Sequence, residues 1–180
     1  MTTTTKTKWG IDPTHSEIEF KVKHLMITNV KGSFKEFRST VYTHGNDFLT
    51  SDIEIVFNAA SIDTGVADRD AHLRSADFFD VENFNQIRFV GKKLDRKDDE
   101  SYTLFGELTI KGITKPVALD VVFDGVMKDP WGNEKAGFSV NGKFNRKEWN
   151  LNWNAALEAG GVLVGEEVKI NGEVQLIKQE

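Results

Sequence analysis

The side chains that could do chemistry are few and poorly arranged for catalysis. His15, His24, His44 and His72 show no His-x-His, His-x-x-x-His or His-Glu-x-x-His spacing, so no helix or strand presents a ready-made metal pair. The chain has no cysteine, which excludes a disulfide framework, a thiolate zinc site, an iron–sulfur cluster and a cysteine nucleophile. Ser61 or Ser75 with His72 and an aspartate has the residue types of a hydrolase, but the sequence has no nucleophile elbow. No catalytic residue and no metal ligand is therefore expected.

Two places hold the remaining chemical potential. Asp63, Asp68, Arg69, Asp70, His72, Arg74 and Asp77 form the densest ionisable cluster. One reading is a solvated helix with i,i+4 pairs such as Asp70–Arg74. The other sets Arg69, His72 and Arg74 over the mouth of a barrel, where they meet an anionic or polar head group. His24 continues the parity of Ile18, Phe20 and Val22, which aims it at the interior if the strand persists. It is then a satisfied histidine at a strand end or barrel rim, or a hydrogen-bond partner for a ligand head group.

The elements that must position these groups are strands. Ile18, Phe20 and Val22 alternate with charged neighbours, as do Ile53, Ile55 and Phe57, while Ile87 and Phe89 keep the same step. Longer runs hold one parity: Tyr102 to Ile110 on even numbers, Val117 to Phe123 on odd numbers, Ala136 to Phe144 and Val168 to Leu176 on even numbers. Weaker strands are expected near Trp9 to Ile11 and Phe37 to Thr43. Turn chemistry separates the runs at Lys111–Pro116, Asp95–Ser101 and Lys128–Asn133, and Gly160-Gly161 suggests a flexible turn inside an irregular stretch, Asn145–Gly165. Ser61–Asp80 breaks the rhythm, with Ala71, Leu73, Ala76 and Phe79 at helical spacing, so one short helical segment is expected around residues 66–78. Glycines in mid-strand (Gly106, Gly142, Gly172) mark sharp bends or close approaches, which favours a barrel over a sandwich. With Ala136 they are also small residues on inward faces, expected to leave room inside.

At 180 residues, with 39% hydrophobic and 28% charged composition, the chain is sized and built for one globular domain. Residues 1–7 are expected to be a disordered tail and 8–180 the domain. A formal charge of −5 argues against a general nucleic-acid binder and disfavours an anionic membrane surface. No apolar run approaches the roughly 18–20 residues of a membrane-spanning helix, so no integral membrane segment is expected. Met1–Lys8 has two lysines with no apolar stretch behind them, unlike a secretory signal, so the expected location is the cytoplasm. Phenylalanine occurs 13 times against two tyrosines, which suits a large apolar interior.

Several ordered motifs together resemble the YceI-like family of lipocalin-like polyisoprenoid-binding proteins. They are Trp9-x-Ile11-Asp12-Pro13-x-His15-Ser16-x-Ile18-x-Phe20-x-Val22-x-His24 with Gly32-x-Phe34-x-x-Phe37, Ser61-Ile62-Asp63-Thr64-Gly65, and Arg69-Asp70-x-His72-Leu73-x-Ser75-x-Asp77-Phe78-Phe79-Asp80. Gly106-x-Leu108-Thr109-Ile110-x-Gly112-Ile113-Thr114-x-Pro116-Val117 and Gly137-Phe138 with Asn145-Arg146-Lys147 complete the set. The resemblance runs from about Trp9 to Leu176. One departure is Glu148-Trp149-Asn150-Leu151, where relatives more usually carry an Asp-Phe-Gly type of turn.

The resemblance implies an all-β protein: an elongated, eight-stranded, antiparallel, lipocalin-like barrel with a helix near one end, bacterial and often a homodimer. Its tunnel is expected to hold a polyisoprenoid, an isoprenoid quinone or a similar amphiphile, with no other cofactor. Many relatives act in the periplasm behind a signal peptide that this sequence does not show. The apolar lining expected here is Phe20, Val22, Phe34, Ile55, Phe57 and Phe89, continued by Leu104, Leu108, Phe123, Phe138 and Phe144. The polar end is expected at His24, Arg69, His72 and Arg74. The leading expectation is a non-enzymatic lipid carrier or store. The alternatives are an enzyme or stress-response factor acting on an isoprenoid quinone, and a solid-core structural or partner-binding barrel.

Overall fold

The computed structural model describes residues 6–154 and 163–179, with only the backbone of Thr50. The strands among them are β1 (Lys6–Ile11), β2 (Glu17–His24), β3 (Thr28–Phe34), β4 (Phe37–His44), β5 (Asp47–Asn58), β6 (Ile62–Asp63), β7 (Gln86–Arg96), β8 (Ser101–Ile110), β9 (Ile113–Lys128), β10 (Glu134–Asn145) and β11 (Val164–Gln179). Every pairing is antiparallel. The register shows how eleven strands make an eight-membered ring. β11 pairs with β2 through Glu173↔Glu17 and then with β1 through Leu176↔Ile11, so β1 and β2 are one stave broken at residues 12–16. β3 and β4 form the next stave, broken at Lys35-Glu36, and β5 with β6 the third. Counted so, the molecule is a closed eight-stranded up-and-down barrel in which each stave pairs with its neighbour in sequence.

The breaks bend the staves. Asp12 ends β1 and folds the chain into the next half: its carboxylate accepts from the Thr14 backbone N–H (3.0 Å) and hydroxyl (2.7 Å), and meets His15 Nδ1 (2.8 Å) and Lys135 Nζ (3.2 Å). Burial pushes the Asp12 carboxyl up, but the hydrogen bonds from Thr14, His15 and Lys135 outweigh it and hold the group well below the usual carboxylate range. Much of the Trp9–Ser16 motif is thus a corner of the barrel. Trp9 is fully buried and its indole N–H donates to Thr43 Oγ1 at 2.9 Å.

The short helix α1 (Ala67–Arg74) lies between β6 and β7. It stops earlier than the 66–78 spacing suggests, because Ser75 is extended and its hydroxyl donates to the His72 carbonyl (2.6 Å), a side-chain bond that competes with another helical turn. The Asp70–Arg74 pair does not form among the described residues. Asp70 is buried and accepts from the Thr64 N–H (2.9 Å) and hydroxyl (2.5 Å) instead. Lys6 and Thr7, expected in the disordered tail, pair with His44 and Thr43 in β1, while residues 1–5 lie outside the described residues, as does the Gly160-Gly161 turn.

The interior differs between the two ends. The end carrying the β4–β5 and β9–β10 turns is solid: Trp9, Val41, Phe48, Ala136 and Leu176 pack together, and Phe48, Phe123 and Phe138 cluster with ring centres 5.0–5.5 Å apart. Gly106 and Gly142 leave no open space, which corrects the expectation drawn from their size. Phe89 Cζ lies 2.5 Å from where a Gly106 Cβ would stand, and the Leu119 side chain fills the place beside Gly142. The opposite end, below α1 and the β2–β3 turn, is hollow.

Candidate functional site

The hollow is a chamber of about 520 Å³ bounded by the inner faces of the staves, within the size range of small-molecule sites. Its walls follow directly from strand parity. Phe20 and Val22 come from β2, Phe34 from β3, and Ile55 and Phe57 from β5. Phe89 comes from β7, Leu104 and Leu108 from β8, and Phe144 from β10. Phe34 is the aromatic hub, with ring centres of Phe20, Phe57 and Phe79 at 5.7–5.8 Å. Phe123 and Phe138 do not reach the chamber, because they belong to the packed end. Of the small inward residues, Gly172 borders the chamber.

Most of the polar groups on the lining gather where the chamber meets α1 and the β2–β3 turn, with Glu19 of β2 apart from them. His24 lines it as the last residue of β2, and its imidazole has no hydrogen-bond partner among the described residues. Arg69 reaches in from α1 and is held by Thr64, donating from Nε to the hydroxyl (2.7 Å) and from Nη2 to the carbonyl (2.6 Å). His72 sits edge-on to Trp153 (4.7 Å) and Phe78 (5.2 Å), with Nε2 2.8 Å from Asp77. Arg74 does not border the chamber.

Sequence reasoning missed Arg146 and Trp153. Arg146 is 3% exposed and borders the chamber. Its guanidinium donates to the carbonyls of Gly165 (2.8 Å), Val164 (3.3 Å) and Leu151, fastening the segment after β10 to the start of β11. Burial lowers its pKa, opposed by the field of Glu166. The departure at Glu148–Leu151 builds the neighbouring wall. Residues Arg146–Trp149 form a 3₁₀ turn ended by Asn150 in the left-handed conformation (φ 62°), and buried Trp149 donates its indole N–H to the Leu108 carbonyl (2.9 Å). Arg146 continues the even parity of Ala136–Phe144, the signal that could have marked it as inward-facing, whereas Trp153 lies in a stretch without period.

A closed up-and-down barrel, solid at one end and hollow at the other, with most of its polar lining gathered at one end, defines a class of protein built around an internal apolar chamber. The chain belongs to the YceI-like family: the YceI-like domain matches residues 9–176. UPF0312 proteins of Staphylococcus epidermidis and Staphylococcus aureus are each 41% identical over 170 residues, covering 94% of this chain and 96% of theirs. A crystal structure of the Campylobacter jejuni YceI protein is similar at TM-score 0.72 and 30% identity, covering 89% of this chain and 91% of that one. The fold is shared by Burkholderia cenocepacia BcnA (TM-score 0.77, 21% identity, 92% of this chain and 98% of that one). It is also shared by a polyisoprenoid binding domain from Saccharophagus degradans (TM-score 0.71, 12% identity, 95% and 98%). No helix among the described residues is long and apolar enough to cross a membrane.

Proposed function

We propose that this protein binds one long apolar chain, of the polyisoprenoid class, inside the barrel and holds it without chemical change. The chamber carries the argument. Its lining on β11 runs from Val164 to Val174, where a bulge sets the four steps from Val164 to Val168 against two of β2, so the span is about eight strand steps, ~26 Å, or about 20 Å of depth once strand tilt is allowed for. Dividing 520 Å³ by that depth gives a section of about 26 Å², the scale of one hydrocarbon chain and too narrow for two side by side. At ~30 Å³ for each water-sized group, 520 Å³ has room for about 17 methylene-sized groups, or between three and four isoprene units.

Energetics point the same way. At ~24 cal/mol per Å³, leaving 520 Å³ empty costs about 12 kcal/mol as an upper bound, against a whole-domain stability of roughly 5–15 kcal/mol. A ligand that contributes ~0.8 kcal/mol for each buried CH₂ removes that burden. The polar end of the ligand meets His24, whose ring is unpartnered among the described residues, with Arg69 and His72 beside it. The fold shared with a polyisoprenoid binding domain supports the ligand class. A homodimer and a cytoplasmic carrier or storage role belong to the same reading, and sedimentation equilibrium checks the first.

Trp153 borders the chamber, so it supplies the assay. Titrating ligand-freed protein with a polyprenol of three or four units should change tryptophan emission saturably at one ligand per chain, and Trp153→Phe should remove most of the change. An emission that never saturates, or no change with any chain length, contradicts the proposal.

A further inference from the structure

The outer face of the barrel carries a feature that folding does not explain. The registers place Lys143 opposite Lys169, Lys169 opposite Lys21, and Lys21 opposite Lys31, so four lysines form one row across β10, β11, β2 and β3. Like charges directly opposite one another destabilise a sheet, and none of the four makes an ion pair among the described residues. Lys31, Lys143 and Lys169 are exposed and Lys21 is half-buried. The nearest acidic residues along these strands, Glu19 and Glu167, stand two positions away. A chain with a formal charge of −5 thus concentrates positive charge on one belt.

The second feature lies at the end of the same two strands. The β2–β3 turn is Leu25-Met26-Ile27, exposed by 40%, 59% and 76%. Leu25 and Met26 both adopt the left-handed region (φ 54° and 61°), which favours glycine or asparagine. The sequence places three large apolar residues in water at a turn whose geometry asks for small polar ones. Val66, exposed by 47%, stands at the start of α1, also at the chamber's open end, and Leu25 N–H bonds to the carbonyl of Leu163, which borders the chamber.

We propose that this edge docks on the surface of a lipid bilayer with anionic head groups, the Leu25–Ile27 turn entering the apolar boundary and the lysine row lying against the phosphates. The spacing fits. Four residues of strand separate Lys21 from Leu25 and Ile27 from Lys31, about 13 Å at the usual rise. Apolar segments of peripheral proteins sink roughly 5–10 Å into the boundary, which leaves the lysines within the ~8 Å screening length of the charged surface. The chamber mouth then faces the bilayer. The surface is independent of what the chamber holds, and its test reads protein on vesicles, not ligand.

The test is co-sedimentation with phosphatidylcholine vesicles prepared with and without phosphatidylglycerol. The wild type should bind the anionic vesicles, bind neutral ones far less, and be released at about 1 M salt, where screening shortens to ~3 Å. The triple substitution K31Q/K143Q/K169Q should weaken binding about a hundredfold, at roughly fivefold per lysine near the surface, while raising Tm by relieving the opposed charges. The turn substitution L25N/M26G/I27S should abolish binding while its turn is eased, so misfolding would not explain the loss. Trp131→Ala, which removes an 83% exposed tryptophan in the β9–β10 turn at the opposite end, should leave binding unchanged. No vesicle binding, binding indifferent to phosphatidylglycerol, or equal loss with Trp131→Ala would overturn the proposal. So would a wild type that ignores vesicles but forms a dimer abolished by the turn substitution, or that binds a labelled oligonucleotide instead: the face would then belong to a second copy or to nucleic acid.

Discussion

Gly172 offers the cleanest perturbation of the chamber, because a side chain there fills the space without introducing a charge. It lies on the chamber-facing parity of β11, and a Cβ would stand 3.4 Å from Ile18 Cγ1, 3.5 Å from the Glu17 carbonyl oxygen and 3.8 Å from Val140 Cβ. Gly172→Leu adds four carbon groups, about 120 Å³ at ~30 Å³ each, or close to a quarter of the 520 Å³. At ~24 cal/mol per Å³ this recovers about 3 kcal/mol in the empty protein. Replacing glycine in a strand adds about 0.5–1 kcal/mol, and adjusting against Ile18 subtracts about 1 kcal/mol. The net expectation is a ligand-free protein more stable by roughly 2–3 kcal/mol, a rise in Tm of about 4–12 °C for a chain of this size. The longest ligand retained should shorten by about four carbons. Both forms are extracted, refolded and compared by urea unfolding, then reloaded with a ladder of polyprenols. A variant with unchanged or reduced ligand-free stability and an unchanged ligand range refutes the reasoning, because Gly172 would then not border empty space.

Other outcomes follow from the two ends and the corner. Phe57→Asp should abolish ligand retention measured by extraction, whereas Phe123→Leu should cost about 1–2 kcal/mol in urea unfolding and leave ligand stoichiometry intact, since Phe123 belongs to the packed end. Arg146→Met removes donors from three carbonyls and should cost about 3 kcal/mol, read by urea unfolding; a change within ~0.5 kcal/mol would show that the clamp contributes nothing. Asp12→Asn should cost about 1–3 kcal/mol at neutral pH. The folded carboxyl lies below its unfolded value, so its contribution is full above about pH 4 and fades as pH falls further. Wild type and Asp12→Asn should therefore converge in acid; a stability gap constant from pH 7 to pH 2 would contradict this.

Strand parity made most of the barrel readable. The even faces of β8, β10 and β11 and the odd face of β9 turn inward as alternation requires, and nine of the eleven apolar residues expected in the tunnel border the chamber. Phe123 and Phe138 share that inward parity but lie at the packed end, and parity says which face a residue takes, not how far along the axis the cavity extends. β3 escaped notice because Thr28–Phe34 offers only Val30 and Phe34 around Gly32, a pattern too weak to alternate visibly. β6 has two residues inside the stretch read as a helical excursion. A mid-strand glycine signals either a close approach or room; Gly106 and Gly142 are close approaches filled by a neighbouring strand's side chain, Gly172 borders the chamber, and only the three-dimensional register tells which is which. Trp153 sits in a segment without period, where sequence offers composition and little else, while Arg146 keeps the even parity of β10 one residue past the strand's end.

The central claim is that the chamber is occupied by an apolar chain. Native mass spectrometry of freshly purified protein, repeated after denaturation with organic extraction of what is released, tests it most directly. The account predicts one additional mass per chain under native conditions, lost on denaturation and recovered as an isoprenoid-class hydrocarbon with room for three or four units inside the barrel. A chain that is ligand-free as purified and takes up no polyprenol when offered one, at any chain length, would contradict it.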